Sequence, residues 1–238
     1  GVNTTNSISV SGGNDKTTTY FSYSNVSATG VMPTNRYNKH NFSFNQSSKV
    51  FNKVTVSSNV MLTYEESHNR PGAGYYNNPL TGLYLFARER NFADFKTNYQ
   101  VFNKERNFNV MNWYSTEEKM NNPYWEIYND PKLNTSFRAI ANLKLSWDIV
   151  DHLKFDVRGN VDYNNRLNDY RYAAGGNSVS VSPNGSWNYS KYNDRAFYTD
   201  AILNYSNNFG NISFTGLLGA VYAHTILNDG MSVSNGTV

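Results

Sequence analysis

The stretch from Ser136 to Tyr163 constrains the fold more than any other part of the chain. Over residues 153–163, apolar residues and one glycine alternate strictly with charged and amide residues, and residues 137–147 repeat the alternation less sharply. Strict alternation predicts a β-strand with two different faces. Two arms of about 10 residues, tilted by about 40°, each span roughly 25 Å, which is the height of the apolar band of a transmembrane β-barrel. Trp147 and Tyr163 lie at opposite ends of the apolar face, where such barrels carry aromatic girdles.

Six further stretches predict strands, so we expect eight in all. The eight predicted strands are residues 6–11, 17–26, 36–46, 53–65, 137–147, 153–163, 195–205 and 211–222. The connections between them are alternately short and long, with loops at 66–132 and 164–194. Short turns at one rim and long loops at the other are typical of up-and-down outer-membrane barrels. The predicted fold is therefore all-β, an antiparallel transmembrane β-barrel portion of about eight strands with long extracellular loops and no plug domain.

Composition agrees with this fold and excludes several other classes. Charged residues make up 16% of the chain and aromatic residues another 16%, so the mean hydropathy of −0.64 reflects Asn, Ser and Thr. The sequence has no apolar run long enough for a transmembrane helix. It contains no cysteine, which excludes disulfides and thiolate metal sites. The net charge of +3 is scattered along the chain, which argues against binding to nucleic acid.

Catalytic patterns are missing from the sequence. The four histidines are too scattered for metal-ligand spacing, and no nucleophile elbow or phosphate-binding loop is present. We therefore expect a protein that is not an enzyme and has no cofactor.

Aromatic residues in the two long loops are the candidate contact residues for a substrate or a partner. Aromatic rings stack on sugars and on partner side chains, but they also pack loops onto one another. The candidates are Trp113, Tyr114, Tyr124, Trp125, Tyr128, Trp187 and Tyr189. A second group, Lys154, Asp156, Arg158 and Asp162, is expected to face the barrel interior, where we expect it to contact a plug because buried charges need partners.

The order of several short motifs resembles the early barrel of SusC/RagA-type TonB-dependent transporters over roughly residues 6–222. The segment before residue 46 matches the family pattern at Ser11, Gly12, Gly13, Lys16, Thr17, Tyr20, Ser22, Gly30, Arg36, Asn38 and Asn45. Later, Asn121–Trp125 is similar to the Asn-Pro-aromatic segment of the family, and a strand carrying Arg138 follows it. At residues 25–27, the chain departs from the tyrosine-acidic pattern often seen in the family.

The resemblance implies a nutrient importer in the outer membrane of a Bacteroidetes-type bacterium. Its implied partners are a SusD-like surface lipoprotein that caps the barrel, TonB through a missing N-terminal region, outer-membrane lipid, and a glycan or peptide cargo. The chain starts without a signal peptide, and its first strand descends to a short turn. We therefore expect a fragment of a longer barrel. The alternatives are a small structural or adhesive outer-membrane barrel and a soluble β-sandwich binding module.

Overall fold

One antiparallel sheet of eight strands forms most of the structure. The computed structural model describes residues 1–117, 120–176 and 182–235. The strands of the large sheet are β1 (Asn3–Gly13), β2 (Thr17–Thr29), β3 (Arg36–Phe51), β4 (Val54–His68), β7 (Lys132–Val150), β8 (Leu153–Tyr172), β9 (Ser186–Phe209) and β10 (Ile212–Asn235). Each pairs with its neighbour in chain order, and the sheet does not close between β1 and β10. The predicted all-β barrel portion with eight strands is confirmed.

The segment 69–131, here called the insertion, has its own secondary structure. It contains α1 (Pro79–Tyr84), α2 (Phe92–Thr97), a hairpin of β5 (Gln100–Asn103) and β6 (Phe108–Met111), and α3 (Pro123–Asn129). None of the helices among the described residues has the length and apolarity needed to cross a membrane.

The strands extend farther than the alternation predicts. The loop predicted at 164–194 is shorter, because β8 continues to Tyr172 and β9 already begins at Ser186. Beyond Tyr163, polar residues occupy both faces of these strands. The period in hydropathy therefore disappears, although the backbone hydrogen bonds of the sheet continue.

The short turns show that the strands are tilted. Gly13, Arg158 and Asp200 belong to one row of paired residues across the sheet, and Gly13 belongs to the last pair of the β1–β2 hairpin. The last pair of the β9–β10 hairpin includes Phe209, which lies nine residues beyond Asp200 on the same strand. The strand β9 is six strands across the sheet from β1. The turns at one rim of a barrel lie at the same height. From the first of these turns to the last, the turn position shifts by roughly 30 Å along the strands relative to the paired row, over roughly 29 Å across the sheet. The strands are therefore tilted by roughly 45° from the barrel axis.

The sheet has two chemically different faces. On the outer face, one row of paired residues runs Phe21, Phe44, Val60, Ala141, Val161 and Phe197. The inner face carries amides, hydroxyls and charged groups at the alternate positions. No second sheet covers either face, and Trp125 of the insertion is the one buried hydrophobic residue in the described part of the chain. The architecture is therefore a single wall, whereas a soluble β-sandwich encloses a core between two sheets.

Candidate functional site

The helices of the insertion all begin at an asparagine. Asn78, Asn91 and Asn122 are the N-cap residues of α1, α2 and α3, and the side-chain oxygen of each accepts a backbone N–H of the first turn. A proline follows Asn78 and Asn122 at the first helical position, where its missing N–H costs nothing. These caps stabilise helices of six or seven residues, which are too short to form without such contacts.

Asn122 connects three segments of the insertion. Its side chain is fully buried (0% exposed). The Nδ2 atom donates to the carbonyl oxygens of Phe95 and Asn112, both at 2.9 Å, and Oδ1 accepts from the Tyr124 N–H at 2.9 Å. The Asn-Pro-aromatic segment therefore has a structural role here.

Two of the predicted aromatic residues, Trp113 and Tyr114, lie in the packed centre of the insertion. The ring of Phe86 lies 5.5 Å from Trp113 and 5.3 Å from Tyr114 between centroids, and Phe92 and Phe95 complete the cluster. The Tyr114 hydroxyl donates to the Leu85 carbonyl at 2.9 Å. Both side chains therefore pack the insertion together.

The three predicted aromatic residues of α3 differ in exposure. Trp125 is buried (2% exposed), whereas Tyr128 is 47% exposed and Tyr124 is half-buried. The rings of Tyr124 and Tyr128 stack with centroids 6.1 Å apart, and the Tyr99 ring lies 5.5 Å from Tyr128. The sequence analysis missed Tyr99, because it lies 29 residues before its partner. Tyr99, Tyr124 and Tyr128 form an accessible aromatic surface.

Trp187 and Tyr189 lie on the strand β9, within the segment predicted as a loop. Both share the outer-face phase of Phe197. Their rings are 5.7 Å apart, and the Trp187 Nε1–H donates to Asp169 Oδ1 at 2.8 Å. These two residues therefore face away from the barrel interior.

Three of the four predicted inner-face charges, Asp156, Arg158 and Asp162, are paired within the sheet, whereas the fourth, Lys154, lies opposite Asp148 on β7. Arg158 makes a two-pronged contact with Asp200, which is 3% exposed and also accepts from the Tyr198 hydroxyl at 2.7 Å. Arg138 contacts Asp162 in the same way, at 3.0 and 2.6 Å. The prediction that Arg158 and Asp162 contact a plug assumed that these charges lack partners. Because both are paired within the sheet, that argument no longer applies to them.

Asp156 is paired through a hydroxyl and a lysine instead of an arginine. It accepts from the Ser146 hydroxyl at 2.5 Å, and the Lys144 ammonium lies 3.5 Å away. The register of the strands brings these groups together, and the sequence alone does not reveal which residues are paired.

Four asparagines form a continuous hydrogen-bonded row on the inner face, here called the amide row. Asn160 donates to Asn142 at 2.5 Å, Asn142 donates to Asn59 at 3.1 Å, and Asn59 donates to Asn45. The row crosses β8, β7, β4 and β3 and lines a concavity of about 840 Å³ together with Tyr20 and Tyr198. This wall presents neutral hydrogen-bonding groups beside charges that are already compensated.

The end of α3 carries two buried carboxyl groups. Glu126 is 6% exposed and Asp130 is 8% exposed. Burial, with a smaller contribution from the charge of Glu126, raises the pKa of Asp130 to about 7. Burial also raises the pKa of Glu126. No group of three or more metal-ligating side chains occurs among the residues that the structure describes.

Comparisons with known proteins identify the fold. No protein-family model matches the sequence, and a search of curated proteins found no match. Solved structures that match 93% of this chain include the RagAB peptide importer in its closed-closed state (TM-score 0.65, 17% identity), the RagAB peptide transporter (0.66, 17%) and the importer in its open-open state (0.64, 18%). The match covers 24% of each solved chain, so this chain spans about a quarter of their length. The chain is thus similar in fold to part of a barrel transporter.

Proposed function

We propose that this chain forms part of the barrel of a SusC-like, TonB-dependent nutrient importer in the bacterial outer membrane. The observation that carries the proposal is the wall itself: eight tilted strands with an apolar outer face and a polar, charge-compensated inner face. Lipid requires the first face and an aqueous or protein-filled interior requires the second. The likeness to the RagAB structures supports the same reading at the level of the fold.

The proposed partners follow from the resemblance of the sequence and from the matched structures. A SusD-like lipoprotein would cap the rim that carries the insertion, and TonB would act through a region outside this sequence. The cargo would be a glycan or a peptide, and the protein would bind no nucleic acid and catalyse no reaction. Tyr99, Tyr124 and Tyr128 are the proposed contact surface for the cargo or the cap.

Energised uptake tests the proposed transport. Strains with and without the gene are given labelled peptides and labelled oligosaccharides, each with and without a protonophore. We expect uptake of one cargo class to need both the gene and the proton gradient. Uptake that is unaffected by loss of the gene would contradict the proposal, and loss of surface adhesion alone would favour the small structural or adhesive barrel.

Purification tests the proposed assembly. The protein is extracted from outer membranes in mild detergent, and its intact mass and partners are measured. A mass several times the 27.1 kDa of this chain, together with a lipoprotein, is expected. A native mass of 27.1 kDa without a partner would contradict the importer assignment.

A further inference from the structure

Glu126 and Asp130 lie where the insertion joins the large sheet. Asp130 Oδ1 accepts from the Ala173 N–H at 3.0 Å, just beyond the end of β8. Next to it, the Arg171 N–H donates to the Pro131 carbonyl at 3.1 Å, and the Asn69 N–H donates to the Lys132 carbonyl at 2.8 Å. These bonds hold the end of α3 against β8 and the start of β7. We call this set of contacts the junction.

The two carboxyl groups of the junction have few direct partners. Glu126 Oε1 accepts from Asn121 Nδ2 at 2.8 Å, but Glu126 Oε2 is buried without a hydrogen-bond partner in the described structure. The nearest ammonium is that of Lys132, whose Nζ donates to the Asn77 carbonyl at 3.0 Å and lies 5.6 Å from the centre of the Tyr172 ring.

The other charged group facing this site is Arg70. It lines a small cavity shared with Glu126, Asp130 and Lys132. No ion pair joins either carboxyl to Lys132 or Arg70 within the described residues. A buried carboxylate without a direct ion pair is costly, so two ionised carboxylates here oppose docking of the insertion.

We propose that Glu126 and Asp130 hold one proton between them when the insertion is docked, and that its loss loosens the junction. With one proton, only one carboxylate has to stay ionised in the buried site. Without it, two buried carboxylates one helical turn apart must both be ionised, although neither forms a direct ion pair with Lys132 or Arg70 among the described residues. A bound proton fits this site better than a metal ion, because two basic side chains already face the cavity. This inference is independent of the transport proposal.

The direction of the pH effect follows from the sign of the shift. The pKa of Asp130 is about 7 in the docked state, against 3.8 for an unperturbed aspartate. The docked state therefore binds the proton more tightly than the undocked state. Docking is most favourable below about pH 4, weakens as the pH rises to about 7, and changes little above that.

Hydrogen exchange at the junction tests the proposal on the full-length protein in detergent. The protection factor of the Ala173 and Arg171 amides, each referred to the rate in an unstructured peptide at the same pH, is measured from pH 5 to pH 8. The wild type should lose protection by up to about tenfold per pH unit until about pH 7 and then level off. Asp130→Asn should remove most of this pH dependence, because it removes the group whose pKa is about 7. Glu126→Gln should make the loss of protection level off at a lower pH, because the charge of Glu126 supplies part of that pKa shift.

Glu105→Gln is the matched control, since Glu105 is an exposed carboxylate of the same insertion. It should follow the wild-type profile. A flat wild-type profile, or a wild-type profile in Glu126→Gln, would overturn the proposal. Protection that is low at every pH in both Glu126→Gln and Asp130→Asn would also overturn it, because the two carboxyls would then be acting only as structural hydrogen-bond acceptors.

Discussion

Asn122 shows how much of the insertion depends on one side chain. Replacing it by alanine removes the N-cap of α3 and the side-chain donor to the half-buried carbonyls of Phe95 and Asn112. The cap contributes about 1 kcal/mol and each orphaned carbonyl costs about 1 kcal/mol or more. We therefore expect Asn122→Ala to lower the local stability of the insertion by about 3 kcal/mol, measured by hydrogen exchange.

The control for this prediction is Asn91→Ala. Asn91 caps α2 in the same way, but its side chain is exposed. It should cost about 1 kcal/mol. Equal losses in the two variants would show that the buried bonds of Asn122 add nothing to its role as a cap.

Val157 tests which face of the wall meets lipid. It lies near the middle of the apolar run of β8, paired with Leu145 and Ala201 on the outer face. An arginine there should destabilise the folded protein in lipid by about 2–4 kcal/mol. Asn160→Arg places the same residue on the inner face, and it should cost about 1 kcal/mol or less through the loss of one hydrogen bond. Refolding titrations in lipid vesicles measure the change in the free energy of unfolding for both variants. Equal changes would contradict the assignment of one face to lipid and the other to the barrel interior.

Tyr128 and Tyr114 separate binding from packing. Tyr128 is exposed on the aromatic surface, whereas the Tyr114 hydroxyl is bonded inside the insertion. If the surface contacts cargo or cap, Tyr128→Ala should weaken binding by about tenfold with unchanged stability, the effect of losing one stacked ring. Tyr114→Ala should lower the stability of the insertion. Titration of the purified protein with the cargo or the lipoprotein checks the first effect and hydrogen exchange checks the second. Unchanged affinity for both partners in Tyr128→Ala would remove this residue from the proposed surface.

At the scale of elements, the sequence predicts strands well where one face is apolar. The β7–β8 hairpin could be predicted because its apolar outer face and its polar inner face impose a period of two. Beyond Tyr163 both faces are polar, so the last nine residues of β8 leave no such period. The insertion was harder still, because its short helices depend on caps and on contacts between distant segments such as Phe86 and Trp113. Ion pairs such as Arg158–Asp200 depend on register, which hydropathy does not specify.

The amide row should stabilise the sheet cooperatively. Each side-chain hydrogen bond contributes about 1 kcal/mol, and neighbouring amides polarise one another. Asn59→Ala and Asn142→Ala remove adjacent members that share a bond. Their combined effect on the free energy of unfolding in detergent should differ from the sum of the single effects by about 0.5–1 kcal/mol. Strict additivity would mean that the row is three independent hydrogen bonds.

At the scale of the whole molecule, we expect the stability of the sheet to depend on what covers its apolar outer face. The described part of the large sheet contains no buried hydrophobic residue, since Trp125 belongs to the insertion. The sheet therefore has almost no core of its own, and its apolar outer face must be covered from outside. The chain should therefore aggregate when it is transferred from detergent to plain buffer. Light scattering during detergent removal measures this, and a monodisperse protein in buffer would favour the soluble binding module instead.

The tilt of the strands changes what the amide row offers to anything inside the barrel. Hydrogen-bonded rows run at right angles to the strands, so a tilt of roughly 45° sets the row on a diagonal across the inner wall. Its four amides therefore follow part of a helical path along the inner face of the barrel. Their unused donors and acceptors recur about every 4.8 Å along that path. A chain that exchanged hydrogen bonds from one amide to the next would turn and advance through the barrel in the same motion.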